Sequence, residues 1–147
     1  VCTPDLLDTV IQAGQGTGVP VLVDPMRAEH YGHYRGATVL KPNRSETELV
    51  TGIQIRHPDD AFRAGHRLCE ELVLQMAIIT LDRDGMALVP REGVPQLFPT
   101  RPRDVYDITG AGDMVLAMLG LCWANGMAPS TATQLSNIEG SLEVEHT

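Results

Sequence analysis

Apolar positions along this chain follow two spacings. Leu6, Leu7, Val10 and Ile11 recur three or four residues apart and predict an amphipathic helix over residues 4–13, closed by the glycine-rich cluster 14–18. Residues 19–24, VPVLVD, are a continuous apolar run without alternation, as expected of a strand covered on both faces. Pro25 stops it and leaves Asp24 at its carboxyl end. Residues 37–41 form a second such run, ended by Pro42 and Asn43, and Ser45 is placed to cap a short helix that closes at Gly52. A longer helix opens at Asp59 or Asp60 and runs to about Gln75, with Ala61, Ala64, Leu68, Leu72 and Met76 at helical spacing. Residues 77–81 read as a third buried strand, 82–85 (DRDG) as a turn, and 86–90 as an antiparallel return strand. A short strand is expected around 96–98. Residues 105–108 lead into the sequence TGAGD and a helix over 111–125, ended by Gly126. Ser130 is a candidate cap for a last helix over 131–142.

Helices alternating with buried strands indicate a layered α/β/α domain with a mostly parallel sheet. Ligands of such sheets sit at the carboxyl ends of the strands. Asp24, the stretch from Lys41 to Asn43, the stretch from Thr80 to Asp82, and the stretch from Asp107 to Asp113 all fall at such ends, which places four polar groups along one edge.

Charge narrows what that edge can bind. The 147 residues carry 11 basic and 19 acidic side chains, a net charge of −8, with Lys41 the single lysine and no Lys or Arg after Arg103. A phosphate-backbone binder needs clustered cations, so nucleic acid is excluded as a partner. An anionic substrate would have to be held by backbone N–H groups, a metal ion or single cations. Cys2, Cys69 and Cys122 fit neither a metal spacing nor a disulfide framework, and a reducing cytoplasm is the simpler setting. Cys69 and Cys122 are expected in the core, and Trp123 in packing rather than base stacking. The longest apolar run, 114–124, is eleven residues, too short to cross a bilayer. His30 and His33 lie three apart but have no evident third ligand. The first residue is not Met and the last stretch reads as an unfinished helix, so the chain is expected to be a piece of something longer.

The strongest chemical signal is residues 107–113, DITGAGD, followed at once by an apolar helix. The N–H groups of Gly110, Ala111 and Gly112 would point outward at a helix N-terminus, an anion site aided by the helix dipole. Asp113 sits beside it in the first turn. A carboxylate there repels phosphate, but it can accept a proton from a hydroxyl that attacks a phosphoryl group. On spacing alone, an ordinary first-turn acid after a tight glycine turn is an equal reading.

DITGAGD resembles the DTGAGD signature of the ribokinase, or PfkB, family of carbohydrate kinases. KPNRSE (41–46) is similar to that family's N-x-x-E segment, TLDRDG (80–85) to its T-x-G-x-x-G stretch, and SNIEGS (136–141) to a helix lining the adenine pocket. Within the family, VLVDP, HYRGATVLKPNRSETE and FPTRPRDVYDITGAGDMVLAML look most like the heptose 7-phosphate kinases that serve ADP-heptose and lipopolysaccharide core synthesis. The resemblance spans nearly the whole chain, yet corresponds to the family's C-terminal half. The half carrying most of the sugar site and a small β lid is expected to precede it.

The resemblance implies a cytoplasmic kinase that transfers the γ-phosphoryl group of ATP to a sugar hydroxyl, with O1 of a heptose 7-phosphate the favoured acceptor. It implies Asp113 as the general base, with Gly110, Ala111 and Gly112 as the anion hole. Asn43 and Glu46 would organise Mg²⁺ through water. Lys41 would meet a nucleotide phosphate, with a plain surface lysine as the alternative. Thr80 and Gly85 would lie along the nucleotide and Asn137 near the adenine, while Asp107 and Thr109 would help hold a monovalent cation such as K⁺. ATP and a phosphorylated sugar are the implied partners, with a homodimer open and no nucleic acid or membrane. Other acceptors (ribose, fructose, a nucleoside) and a non-catalytic nucleotide-binding remnant are the alternatives. Three positions depart from the pattern. Met26 stands where heptose kinases carry Lys, Asp82 replaces a Gly, and Met114 follows the catalytic Asp in place of Thr or Ser. An acidic Asp82 near a nucleotide must point away or be paired, with Arg83 as the candidate partner.

Overall fold

A computed structural model describes residues 3–100 and 111–142. Helix α1 (Pro4–Thr17) starts at Thr3, whose hydroxyl accepts the Leu6 N–H, and ends at Gly18 with φ 74°. It passes through Gly14 and Gly16 instead of stopping before them. A Cβ on Gly14 would fall 2.4 Å from Val21 and 2.9 Å from the Val19 carbonyl, so this glycine lets the helix seat directly on the incoming strand.

Strands β1 (Leu22–Val23) and β2 (Val39–Leu40) are shorter than the apolar runs predicting them. Pro20 and Pro25 bracket β1 without N–H groups to donate, and the Val21 N–H goes to the Thr38 hydroxyl at 2.9 Å, outside the ladder. Helix α2 (Arg44–Thr51) is capped by Asn43, not Ser45. The Asn43 side chain accepts the Glu46 N–H at 2.9 Å, and the Glu46 carboxylate accepts the Asn43 N–H at 2.8 Å. Helix α3 (Pro58–Leu72) begins over a carboxylate, Asp60, that accepts the N–H groups of Arg56 and His57. It stops three residues before the predicted end because Val73, at φ 54°, turns the chain out of the helix.

Strands β3 (Met76–Thr80), β4 (Met86–Pro90) and β5 (Gln96–Phe98) complete a five-stranded sheet in sequence order. β1, β2 and β3 are parallel, and β4 and β5 continue antiparallel, so the 86–90 return strand forms the expected hairpin with β3. Helices α4 (Ala111–Ala124) and α5 (Pro129–Leu142) follow, α5 starting just ahead of the candidate cap Ser130. The expected 105–108 segment lies outside the described residues.

The alternation of β3 shows why the sheet is buried on both faces. Ala77 packs with Ile11, Leu68 and Leu72 of α1 and α3, and Ile79 with Ala61 and Ala64 of α3. Met76 and Ile78 face Val115, Leu119 and Cys122 of α4 and Ala132 of α5. This is a three-layer α/β/α arrangement, as expected. Cys69 and Cys122 are both buried in these layers. Gly65 lets α3 close on β4, since a Cβ there would lie 2.6 Å from Val89. Among the described residues no helix is long and apolar enough to cross a membrane.

Candidate active site

The carboxyl ends of β1 and β2 bring two charges together. Asp24 follows β1, Lys41 follows β2, and their Nζ–Oδ2 distance is 2.9 Å. Lys41 is 3% exposed, so it is no surface lysine; the hydrophobic strand that precedes it carries it inward, and Asp24 neutralises it there. The first turn of α4 lies over this pair. A Cβ on Gly112 would sit 3.6 Å from both Asp24 Oδ2 and Lys41 Nζ, so glycine keeps the space above the pair open. Asp113 is exposed on the same turn. The first N–H groups of a helix have no partner within it, so this end offers donors, a positive dipole end and a carboxylate side by side. Of the predicted anion hole, Gly112 and the backbone of Ala111 are seen at the helix start. Gly110 lies outside the described residues, as do Asp107 and Thr109.

Asn43 and Glu46 sit one strand further along. Asn43 bridges to Thr80, the last residue of β3, whose N–H donates to the Pro42 carbonyl at 3.0 Å. The capping box uses Asn43 Oδ1 and Glu46 Oε2, leaving Glu46 Oε1 for other partners. One free carboxylate oxygen suits a magnesium ion held mainly by water and phosphate. Among the described residues no three His, Cys, Asp or Glu side chains cluster to hold a metal by themselves. That includes His33, which packs against Tyr34 with ring centres 4.1 Å apart.

The 80–85 stretch turns sharply after β3. Gly85 has φ 99°, and a Cβ there would fall 2.0 Å from the Phe98 carbonyl oxygen, so only glycine allows β5 to pass this close. Asn137 of α5 donates to the carbonyls of Phe98 and Pro99 at 3.1 and 3.2 Å. Thr80, Gly85 and Asn137 are thus brought around the end of β5. Asp82 is paired, but with Arg44 at 3.3 Å and not with Arg83. Arg44 also pairs with Asp84 and donates to the carbonyls of Ile55 and Leu81 at 2.7 and 3.0 Å. Sequence reasoning passed over Arg44; its only signal was a cation inside KPNRSE, close in chain to the predicted Mg²⁺ residues.

Tyr31 was also missed. It is 2% exposed and its hydroxyl has no partner among the described residues. Burial pushes its pKa far above the usual phenol range, reinforced by the charge of Glu46, the neighbouring Tyr34 and Asp24. Met26 is 70% exposed, and its N–H donates to the Tyr34 hydroxyl at 3.2 Å. Met114 is also exposed, so the residue after Asp113 meets no packing constraint. A cavity of about 340 Å³ at this edge is lined by Arg44, Ile55, His57, Leu81, Asp84 and Pro99. A second, of about 430 Å³, is lined by Gly14, Val19, Thr38, Gln75 and Trp123, toward the strands' amino ends, and holds none of the predicted site residues.

Known proteins give the site a context. A family described as pfkB family carbohydrate kinase matches residues 1–147. The chain is 44% identical over 144 residues to the bifunctional protein HldE of Geobacter sulfurreducens, covering 98% of this chain and 29% of that protein. It is 41% identical over 144 residues to HldE of Syntrophotalea carbinolica, with the same coverage. The chain therefore spans less than a third of the length of these relatives. Among solved structures, Arabidopsis thaliana ribokinase complexed with ribose and ATP superposes with a TM-score of 0.85 at 23% identity, covering 97% of this chain and 47% of that one. Phosphofructokinase-2 from Escherichia coli, in complex with substrates and products, gives 0.81 at 20% identity, covering 97% and 47%. These likenesses show a shared ribokinase-like fold.

Proposed function

Because the chain belongs to the pfkB family of carbohydrate kinases, we propose that it forms the ATP-binding and catalytic part of a sugar kinase. The observation that carries this is the start of α4, where Gly112 opens over the Asp24–Lys41 pair and Asp113 stands exposed on the same turn. Asp113 removes the proton from the acceptor hydroxyl as its oxygen bonds to the γ-phosphorus of ATP. The bond from that phosphorus to the bridging oxygen breaks, and ADP leaves. N–H groups at the helix start hold the charge that develops on the transferring group. Lys41, fixed by Asp24, adds a buried positive charge behind them. Glu46 and Asn43 would hold Mg²⁺ through water, supplying charge neutralisation along the phosphates. Thr80 and Gly85 border the nucleotide, and Asn137 fixes the wall on which the base rests. Lys41 touches phosphate only if it does so without leaving Asp24. Asp107 and Thr109 remain the candidates for a monovalent cation.

The favoured acceptor is O1 of D-glycero-D-manno-heptose 7-phosphate. It rests on the resemblance of three long stretches to heptose 7-phosphate kinases and on the relatives above. One observation favours a different sugar of the same family. Met26 is exposed at the end of β1, and a thioether cannot hold a phosphorylated sugar as a lysine could. Two measurements on the intact protein test the proposal. Calorimetric titration with ATP–Mg²⁺ is expected to show binding; no heat from folded protein would contradict the kinase reading, and heat without turnover of any sugar would leave the non-catalytic nucleotide-binding remnant. Coupled ADP-release assays should then show turnover with heptose 7-phosphate, while turnover only with ribose, fructose or a nucleoside would reassign the acceptor.

A further inference from the structure

Arg44 is the most heavily engaged side chain at this edge, and the kinase reading gives it no role. Its side chain is 22% exposed, and its guanidinium is fixed by two backbone carbonyls, those of Ile55 and Leu81. It reaches across 38 residues of chain to Asp82 and 40 to Asp84. Those carboxylates are 72% and 62% exposed, and ion pairs so open to water add little to stability. Their location gives the pairing another use. Asp82 and Asp84 lie within the turn that runs from Thr80 to Gly85, and Asp82 holds φ 53°, a left-handed conformation that glycine adopts freely and Asp tolerates. Two unpaired carboxylates in that turn would repel a polyphosphate lying along it.

We propose that Arg44 is a positioning residue for nucleotide binding: it draws Asp82 and Asp84 to itself and offsets one of their two negative charges, so that the acidic 80–85 turn can accept ATP. This rests on the nucleotide reading of that turn given above. Arg44 touches neither the acceptor nor Asp113, so it governs nucleotide affinity and not the chemical step. Asp82 and Arg44 form a matched pair: the charge introduced by Asp82 is what makes Arg44 necessary.

The test uses the intact protein as wild type, Arg44→Gln, Asp82→Gly and the double variant, with ATP–Mg²⁺ affinity by calorimetry and steady-state kcat and KM. For Arg44→Gln the Kd and KM for ATP should rise about tenfold, the scale of one uncancelled charge near the ligand, with kcat within about twofold of wild type. Adding Asp82→Gly should recover most of that loss, and raising the salt concentration should shrink the gap from wild type. A merely structural Arg44 would lower the melting temperature yet give neither the Asp82→Gly rescue nor the salt effect. If Arg44→Gln does not fold, Asp84→Asn alone decides the matter, because it takes the Arg44, Asp82 and Asp84 cluster from a net negative charge to neutral and should tighten ATP binding. An unchanged ATP KM in Arg44→Gln, a rise that Asp82→Gly does not relieve, or unchanged ATP affinity in Asp84→Asn would overturn the proposal. Absence of ATP binding by the wild type would overturn the kinase reading and this inference together, whereas normal wild-type binding beside an unaffected Arg44→Gln overturns this inference alone.

Discussion

At Gly85 a single hydrogen decides whether the nucleotide-side turn and β5 can meet. A methyl group there would fall 2.0 Å from the Phe98 carbonyl oxygen and 2.8 Å from the Thr100 nitrogen, on a backbone with φ 99°. Gly85→Ala is therefore expected to cost about 3 kcal/mol in urea unfolding and to shift the β5 end, combining strain with a clash against backbone that cannot yield cheaply. Lys41 presents the opposite case, a charge kept inside by one partner. Lys41→Met leaves Asp24 unpaired, but the Asp24 side chain is 29% exposed and can regain water. The expected loss is roughly 2 kcal/mol, below the range for a fully buried pair, and the Lys41→Met, Asp24→Asn double variant should recover part of it in a double-mutant cycle. A double-variant loss equal to the sum of the Lys41→Met and Asp24→Asn losses would show that the pair is not coupled.

Among the elements, helix caps and strand lengths separate what periodicity reveals from what it does not. The three- and four-residue spacing of apolar positions located α1 and α3, because that spacing is the packing face itself. It misplaced their ends. α1 continues through Gly14 because that glycine packs on Val21, a contact invisible in local sequence. The run 19–24 yields only a two-residue strand because Pro20 within it and Pro25 after it donate no hydrogen bond. Ser45 looked like the cap of α2, but Asn43 has the reciprocal partner, Glu46, at the right distance in chain. Asn43→Ala should cost about 1 kcal/mol by losing that box, measured as a lower denaturation midpoint. At α3 the Arg63 guanidinium, with the N–H groups of Arg56 and His57, holds the Asp60 carboxyl below its ordinary range. A carboxylate lowered on folding stabilises above its unfolded value, near pH 4, and that contribution disappears as pH falls through the folded value. Asp60→Asn should therefore lower stability at pH 7, with the gap from wild type closing as pH falls below about 4, so that the acid limb of its stability profile is flatter.

For the molecule as a whole, the sheet-edge rule was the most informative part of the sequence, because the carboxyl ends of parallel strands converge whatever their side chains. It put Asp24, Lys41, Asn43, Thr80 and Asp113 on one edge before any coordinates. It could not show that Asp24 neutralises Lys41, or that Arg44 takes Asp82, since these depend on register and on contacts 17 and 38 residues apart. The net charge of −8 fits the same picture: described cations near the proposed phosphate path, Lys41 and Arg44, are each matched to carboxylates. The core adds a pH limit of its own. Burial pushes the Cys69 thiol up to about 11, against a partial offset from the Ala77 N–H. Between the ordinary thiol value, near 8.5, and 11 the unfolded chain loses a proton that the folded chain keeps, so stability falls as pH rises through that window. Cys69→Ala should show a shallower alkaline decline in denaturant midpoint than wild type. The central claim is that Asp113 is the base of a phosphoryl transfer built on the α4 N-terminus. Its most direct test is kcat, together with ATP affinity, for Asp113→Asn in the intact protein with the preferred sugar. The account predicts a loss of kcat of about a thousandfold or more with ATP affinity within about threefold of wild type. A variant that keeps most of its kcat would contradict it.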